Sequence, residues 1–592
     1  MKKIGLLFII FIIASCASQR ETAQHPPQVI LPSPPQVILP SPPVTSRDPV
    51  LLPTRYRQGL ACEENTSVVF NRSGIEILPF VRLTFFDMDN DGRQELIAGS
   101  KDGSLRLYKR ESSGADLRWV LISGYFDGIK VGAFSSPAVA DIDLDGKPEI
   151  IVGTGGFSPE SGRVIVFRNL GALKPLWQRV DMPLIDVGDD ATPVLVDVNG
   201  DNKPDIIVGN STGALFLYRN TSIKGIISYV RDADYFTGIN IGMYGMPAAT
   251  VNNSGIIIVG GNSMGKLYLL EKQKGSSSWQ KSGLKMEFSN FAAPAFMKDR
   301  DDPVANLVVS DGNGQIHYFK NARADYRHWE ELTTFFAGRI IPGPASTPAM
   351  TEFGNKSCMV TGNINGEMKF FEFQPHAEVL PWTERPDFFK GIKLSGYARG
   401  TVVLWQGRYL LITGQQDGYV RAFLNTGSEE SPVWKEKKDF FRGVRKTFHA
   451  SPTVFDLDSD GMWELVVGDV DGNVTAYRME NTKSNQPTWI KIEGVFARVK
   501  EERYASPSLV RDDQRIYLFV GQQDGAMHFY TATSTGTGMP VFSREELLSN
   551  LKFNNHSSPS VFMNKGVIDL SVGDYNGNLR HFACRSDRVE MP

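Results

Sequence analysis

Four cysteines in 592 residues are too few for a fold knitted together by disulfides, and eight scattered histidines offer no zinc or copper ligand spacing. A formal net charge of -3 argues against a nucleic-acid partner and against an electrostatic hold on an acidic membrane. Apart from Ile4 to Ile13 there is no long apolar run, and that one is short for a bilayer span. His-Glu-x-x-His and Walker loops are also missing. Gly-x-Ser-x-Gly occurs twice, around Ser211 and Ser263, but each match falls at a turn between strands and not at the strand-to-helix elbow a serine nucleophile needs. No linear catalytic constellation stands out, which makes a non-enzyme the better expectation; a site assembled from distant segments stays open.

The N-terminus is a targeting segment. Lys2 and Lys3 precede the apolar run, and Ile13-Ala14-Ser15-Cys16 resembles the bacterial lipoprotein cleavage box. The resemblance implies a signal peptide over 1–15 and lipidation of Cys16. With Ala17 and Ser18 following, it also implies the outer membrane, the folded part being periplasmic or surface-facing. Several acyl chains anchor stably where one does not. Residues 16–58 read as a tether: Pro26-Pro-Gln-Val-Ile-Leu-Pro-Ser33 is repeated at once from Pro34. In polyproline II this stretch would reach up to ~120 Å.

Residues 59–592 are repetitive. A strand ending in glycine recurs at Gly99, Gly153, Gly209, Gly260, Gly362, Gly414, Gly468, Gly521 and Gly573, with Ser310 in the fifth place, every 50–56 residues. Many units open on a pair such as Ser136-Pro137 or Ser451-Pro452 and carry an Asp-Gly or Asn-Gly hairpin, for which a type I′ turn is expected. A fourth strand with an aromatic follows, for example Trp119, Trp177 and Trp489. Four short antiparallel strands per unit of about 50 residues describe a propeller blade, the aromatic being an inter-blade packing residue. The expected fold is all-β, with about ten four-stranded blades.

The last unit stops after three strands, and Cys62 to Phe70 looks like its missing fourth. Supplying that strand from the N-terminus would remove two exposed edges and set Cys62 beside Cys584, where a disulfide is expected. Because the two ends pair, one ten-bladed ring is favoured over two five-bladed rings, each of which would need its own closure. Cys358, in an apolar strand, reads as a buried thiol.

Four units keep an acidic loop with oxygen-bearing side chains at positions 1, 3, 5 and 9, a turn-forming residue at 6 and a backbone carbonyl at 7. They are Asp87, Asp89, Asp91, Arg93, Glu95; Asp141, Asp143, Asp145, Lys147, Glu149; Asp197, Asn199, Asp201, Lys203, Asp205; and Asp456, Asp458, Asp460, Met462, Glu464. Hard oxygen ligands in this number suit Ca2+. The loop, followed by an apolar strand and glycine, resembles the FG-GAP/VCBS repeat of integrin α-type propellers. That resemblance implies about four calcium sites of structural role. The six degenerate loops are expected to bind none, with Asp299 and Asp301 leaving room for a weak site.

A candidate ligand surface lies just before the Ser-Pro-like pairs, chiefly Tyr397, His449, Tyr504 and His556, with Phe134, Tyr244 and Phe291 at comparable places. Phe335-Phe336, Phe388-Phe389 and Phe440-Phe441, with Lys390, Lys393, Arg442, Arg445, Lys446 and Lys500, add aromatic and basic groups suited to an anionic glycan. The expected function is a tethered binding or scaffold module for protein or glycan partners, touching the membrane through its anchor only. A polysaccharide lyase or hydrolase is the alternative; it requires Tyr, His, Arg or acids clustered in the channel. A quinone-cofactor propeller ranks last, since its Ala-x-Asp-x-x-Thr-Gly turn is missing.

Overall fold

A computed structural model describes residues 60–586, apart from short stretches at 67–70, 72, 114–115, 172–174, 334–335, 337–339, 341, 375–380, 481–486, 513–514, 534–537, 546–550 and 552. The expected signal peptide, Cys16, the expected tether and Phe70 lie outside the described residues. The described chain is all-β, with ten antiparallel sheets. Nine have four strands; the second has five, because Trp177–Arg179 and Ile185–Asp186 pair with opposite ends of Arg163–Asn169. We number these blades 1 to 10 in chain order of their inner strands. The second strand of each acidic-loop blade, such as Glu95–Gly99 or Glu464–Gly468, is buried along its whole length, as expected for a strand covered on both faces.

The blades form two rings. Inner strands Arg82–Phe86, Ser136–Ala140, Thr192–Val196, Met246–Asn252 and Ala293–Met297 pack in sequence, and the fifth packs back on the first. Strands Thr347–Phe353, Arg399–Trp405, Ser451–Phe455, Ser506–Arg511 and Ser558–Asn564 form a second closed cycle. The single ten-bladed ring is therefore corrected to two five-bladed rings.

The physical reason is that a ring can close without sharing a strand. Blades 1 and 5 are each made of consecutive strands, and side chains seal the seam between them. Ser310 donates its hydroxyl to the Val81 carbonyl at 2.7 Å. Arg300 N–H reaches the Gly92 carbonyl at 3.0 Å, and Asp299 accepts from Gln94 N–H at 3.0 Å and from Arg110. Trp119 of blade 1 stacks on Phe336 beyond blade 5, with centroids 5.8 Å apart. Asp299, expected to offer a weak metal site, is engaged in this seam.

The second ring does share a strand. Leu60–Glu64 is the outer strand of blade 10, in register with Cys62 opposite Cys584, and the two sulfurs are bonded. The first ring is thus inserted between the first strand of the second ring and the rest of it. The connecting segment keeps the rings in contact: Ile77 N–H donates to Asn578 Oδ1 at 2.6 Å, and Asn578 Nδ2 donates to the Ile77 carbonyl at 3.2 Å. Cys358 is a buried free thiol, raised to about 12 mainly by burial.

Repeat signals have local causes. A Cβ on Gly468 would meet the Ala505 carbonyl at 2.0 Å, and one on Gly573 the Ser346 carbonyl at 2.2 Å, so glycine marks where the next blade crosses. In blade 4 that role belongs to Gly261, not Gly260. The hairpins are not type I′: Gly103, Gly418 and Gly472 are left-handed, but the Asp before each is not. A type I turn followed by a left-handed glycine fits instead.

Candidate functional site

The four acidic loops share one backbone course. Position 1 accepts from the N–H of position 6 (Gly92 to Asp87 2.9 Å, Gly146 to Asp141 3.0 Å, Asn202 to Asp197 2.7 Å, Gly461 to Asp456 3.1 Å). Position 5 accepts from position 7, as from Arg93 to Asp91 and from Met462 to Asp460. The acid at position 9 accepts from position 2, as Glu464 does from Leu457 N–H at 2.8 Å. Positions 4 and 6 are left-handed in every loop, including Leu144 and Ser459, which carry side chains there.

Carboxylates converge in three of the loops: Asp87, Asp89 and Glu95; Asp141, Asp143 and Glu149; Asp456, Asp458 and Asp460. Within each trio, ligand oxygens lie within 4.8 Å of one another. Asp87 Oδ1, Asp143 Oδ1, Glu149 Oε1 and Asp458 Oδ1 are buried and accept no hydrogen bond. Burial, reinforced by the neighbouring aspartates, pushes Glu464 up to about 8 and Glu95 and Glu149 up to about 7. Buried, orphaned carboxylate oxygens aimed at one point fit a hard cation. In the third loop Asn199 stands at position 3, and no such trio of acids forms. Basic side chains reach into the first three loops: Lys109 onto Asp89 and Asp91, Arg168 onto Asp143 at 2.5 Å, and Arg219 toward Asp205 at 3.6 Å. Arg478, at the matching place in blade 8, pairs with Glu480 instead.

The residues before the inner strands form the axial mouth of each ring. All ten are left-handed: Phe80, Phe134, Asp190, Tyr244 and Phe291 in the first, Ala345, Tyr397, His449, Tyr504 and His556 in the second. Each second-ring residue is pinned by its N–H to the preceding blade's hairpin, as Tyr397 to the Ile364 carbonyl at 3.1 Å. Recurrence in all ten blades makes this conformation a property of blade entry. The four candidate residues do come together. Ring centroids are 4.4 Å apart for Tyr397 and His449, 4.6 Å for His449 and Tyr504, 4.8 Å for Tyr504 and His556, and 5.9 Å for Tyr397 and His556. Ala345 takes the fifth sector and is buried, and Tyr575 approaches His556 to 5.2 Å. A cavity of about 280 Å³ opens beside His556, between Arg503, Gln522, Gln523 and Asn555. Burial raises Tyr397 to about 12 and lowers His449 to about 4.

The sequence missed one arginine beside the axis of each ring, Arg399 buried and Arg82 partly buried. Two residues on from Phe80 and Tyr397 stand Arg82 and Arg399, each held down to about 10 by burial. Arg399 is 5% exposed and bonds Ser506, Ser558 (2.8 Å) and the carbonyls of Pro507 and Pro559 (both 3.0 Å). An arginine beginning an inner strand, where six other blades carry Ser or Thr and two carry Met246 and Ala293, was the available signal.

Phe388-Phe389, Phe440-Phe441, Lys446, Lys500 and Arg445 do not join the mouth, and Phe335 lies outside the described residues. Phe388 and Phe440 give their carbonyls to the indole N–H groups of Trp434 and Trp489, and both pairs pack beneath those rings. Lys446 is buried against Asp469 (3.2 Å) and Thr475 (2.6 Å). Lys500 bonds the Asp471 carbonyl, and Arg445 lies over Tyr419.

Residues 87–152 match the family model of the FG-GAP-like repeat. No curated protein matches the chain. Among solved structures, the chain is similar to a thermostable family-43 glycoside hydrolase (12% identity, 42% of this chain and 90% of that one, TM-score 0.29). It is similar also to an exo-1,5-α-L-arabinanase from a bovine ruminal metagenomic library (13%, 42% and 95%, 0.29). A third is the fucose-binding Aleuria aurantia lectin, a six-bladed β-propeller (13%, 53% and 96%, 0.30). At these values the likenesses carry no functional argument.

Proposed function

We propose that this chain is a calcium-stabilised binding module, held at the bacterial outer membrane by a lipid on Cys16 and presenting the axial mouth of its second ring to a glycan or protein of the envelope. The observation that carries this reading is the convergence of Tyr397, His449, Tyr504 and His556 around one axis, beside an open cavity. Aromatic faces with polar edges bind by stacking and hydrogen bonding. The acidic loops take Ca2+ through their carboxylates and the position-7 carbonyls of Arg93, Lys147, Lys203 and Met462. The ion would offset repulsion among the aspartates and stiffen the turn between two strands.

A polysaccharide lyase is the second reading, because the Tyr, His and Arg it requires do gather in one channel. Burial pushes Tyr397 up to about 12 and His449 down to about 4, which disfavours either as a general base at neutral pH and so favours binding. The test is a glycan and envelope-protein binding screen with the full chain, with and without EDTA, against Tyr504→Ala. Capture lost in the variant supports the mouth; turnover of a polysaccharide favours the lyase; capture unaffected by the variant refutes the site.

A further inference from the structure

We propose that the second ring's mouth takes an acidic sugar, its carboxylate answering the charge of Arg399. This rests on the mouth being the binding site and adds the ligand's chemistry.

The two rings serve as controls for each other. Each has one arginine at the start of an inner strand next to the axis, Arg399 buried and Arg82 partly buried. In the first ring, Asp190 of the mouth tier is the counter-charge acting on Arg82. In the second ring the tier holds Ala345, Tyr397, His449, Tyr504 and His556, none of them anionic at neutral pH. Tyr504, two blades on from Arg399, stands where Asp190 stands relative to Arg82. Arg399 bonds only hydroxyls and carbonyls, and no carboxylate among the described residues acts on it. Hydroxyls and carbonyls satisfy its donors but leave its charge uncompensated.

A second observation points the same way. His449 Nδ1 and both ring nitrogens of His556 are buried without a hydrogen-bond partner. Buried polar atoms are normally paired, and a neutral imidazole has one donor and one acceptor to satisfy. A ligand bringing both carboxylate and hydroxyl oxygens meets that need and supplies the missing charge. The aromatic faces suit a sugar ring. Of the mouth tier, His556 lines the cavity of about 280 Å³, which is small for a ligand site, where ~300–1,000 Å³ is usual, so it suits one sugar residue. Glu502 and Asp524 line the same cavity beside Arg503 and disfavour a densely charged polyanion.

The test is calorimetric titration of the full chain with tri-galacturonate, the neutral galactose trimer and acetate. The acidic trimer should bind at least tenfold tighter than the neutral one, and Arg399→Gln should remove that margin. Should Arg399→Gln fail to fold, the imidazole signals of the wild-type protein decide. Those of His449 and His556, assigned with His449→Phe and His556→Phe, must move with the acidic trimer and not with the neutral one. Equal affinities, an acidic affinity indifferent to Arg399→Gln, or unmoved imidazole signals overturn the proposal. Acetate binding as tightly as the trimer overturns the sugar assignment. Capture of an envelope protein at the mouth with neither trimer bound also overturns it, while leaving the mouth as the binding site.

Discussion

Reducing the Cys62–Cys584 bond should destabilise one ring and spare the other. The bond spans 522 positions, yet both cysteines belong to blade 10 of the second ring. In the chain-entropy model, a fully flexible loop of that size corresponds to about 6 kcal/mol of stabilisation. If the first ring stays folded inside the loop, only the second ring's own segment counts, and the figure falls to about 5.5 kcal/mol because the dependence is logarithmic. At ~2–4 °C per kcal/mol for a unit of this size, the second ring's transition should drop by about 10–20 °C. Without the bond, the strand keeps its ladder and the Glu64–Arg580 pair at 2.5 Å. The pair is partly exposed and holds little by itself. The assay is scanning calorimetry of oxidised and reduced protein and of Cys62→Ala/Cys584→Ala, with limited proteolysis to assign each transition. Two transitions moving together, or neither moving, would refute the separate-ring reasoning; so would a first ring that becomes protease-sensitive before the second.

Other perturbations follow from the same geometry. Lys109→Ala and Arg168→Ala should tighten calcium binding at the first two loops several-fold by removing a tethered cation, read by terbium luminescence; Asp458→Asn should abolish the blade 8 site alone. His449, His556 and His581 all lie in the second ring, and burial holds each below its ordinary value, His449 and His581 at about 4. Such groups favour the folded state fully above pH ~6.5 and lose that contribution as pH falls toward ~4, whereas Asp569 and Asp574, raised to about 6 by burial, act in the opposite sense over the same window, so the histidine share is read as the difference between the wild-type second ring and His581→Phe. The buried His581 alone corresponds to about 3 kcal/mol, and a wild-type-minus-variant difference that stays flat between pH 7 and 4 would contradict this. Gly468→Ala should destabilise by about 3 kcal/mol or more, since its Cβ meets the Ala505 carbonyl at 2.0 Å. Gly461→Ala meets nothing within 4 Å and should show only about 1 kcal/mol of left-handed strain in urea melts.

The blade was legible because its signals are local. The strand-end glycine reports a neighbouring carbonyl, the acidic loop a turn, and the aromatic a packing site under the previous blade. The Cys62–Cys584 pairing was legible too, because two half-blades at the chain ends demand each other. The number of rings was not. It depends on whether the fifth blade meets the first or the sixth, and the side chains that decide, Ser310, Arg300 and Phe336, look like degenerate repeat positions. Ser310 in place of glycine reads as loss; in the fold its hydroxyl makes the closing bond to Val81. At the mouth, the positions of Tyr397 to His556 were readable from the repeat. Arg399 was hidden because its burial next to the axis follows from the curvature of five blades. The Phe pairs misled because an aromatic beside a basic residue reads the same whether it faces solvent or a tryptophan.

The rings are closed by different means, so they should fail under different conditions. Three acidic loops fall in the first ring and one in the second. The first loop sits in the closing seam itself, where Arg300 bonds Gly92 and lies 3.6 Å from Asp87. No covalent link crosses that seam among the described residues, so a cation in the loop would hold the ligands against which blade 5 docks. Chelation should therefore loosen the first ring before the second, and reduction should do the reverse. One site held at 100 times its Kd is worth about 2.7 kcal/mol, so loops in one ring add up to an effect comparable with the disulfide in the other. Hydrogen exchange with EGTA alone and with reductant alone separates the two. EGTA should expose Asn306–Ser310 and Arg82–Phe86 while leaving Val567–Gly573 protected, and reductant should invert the pattern. Protection lost from both rings under either treatment would mean that the Ile77–Asn578 junction couples them into a single unit.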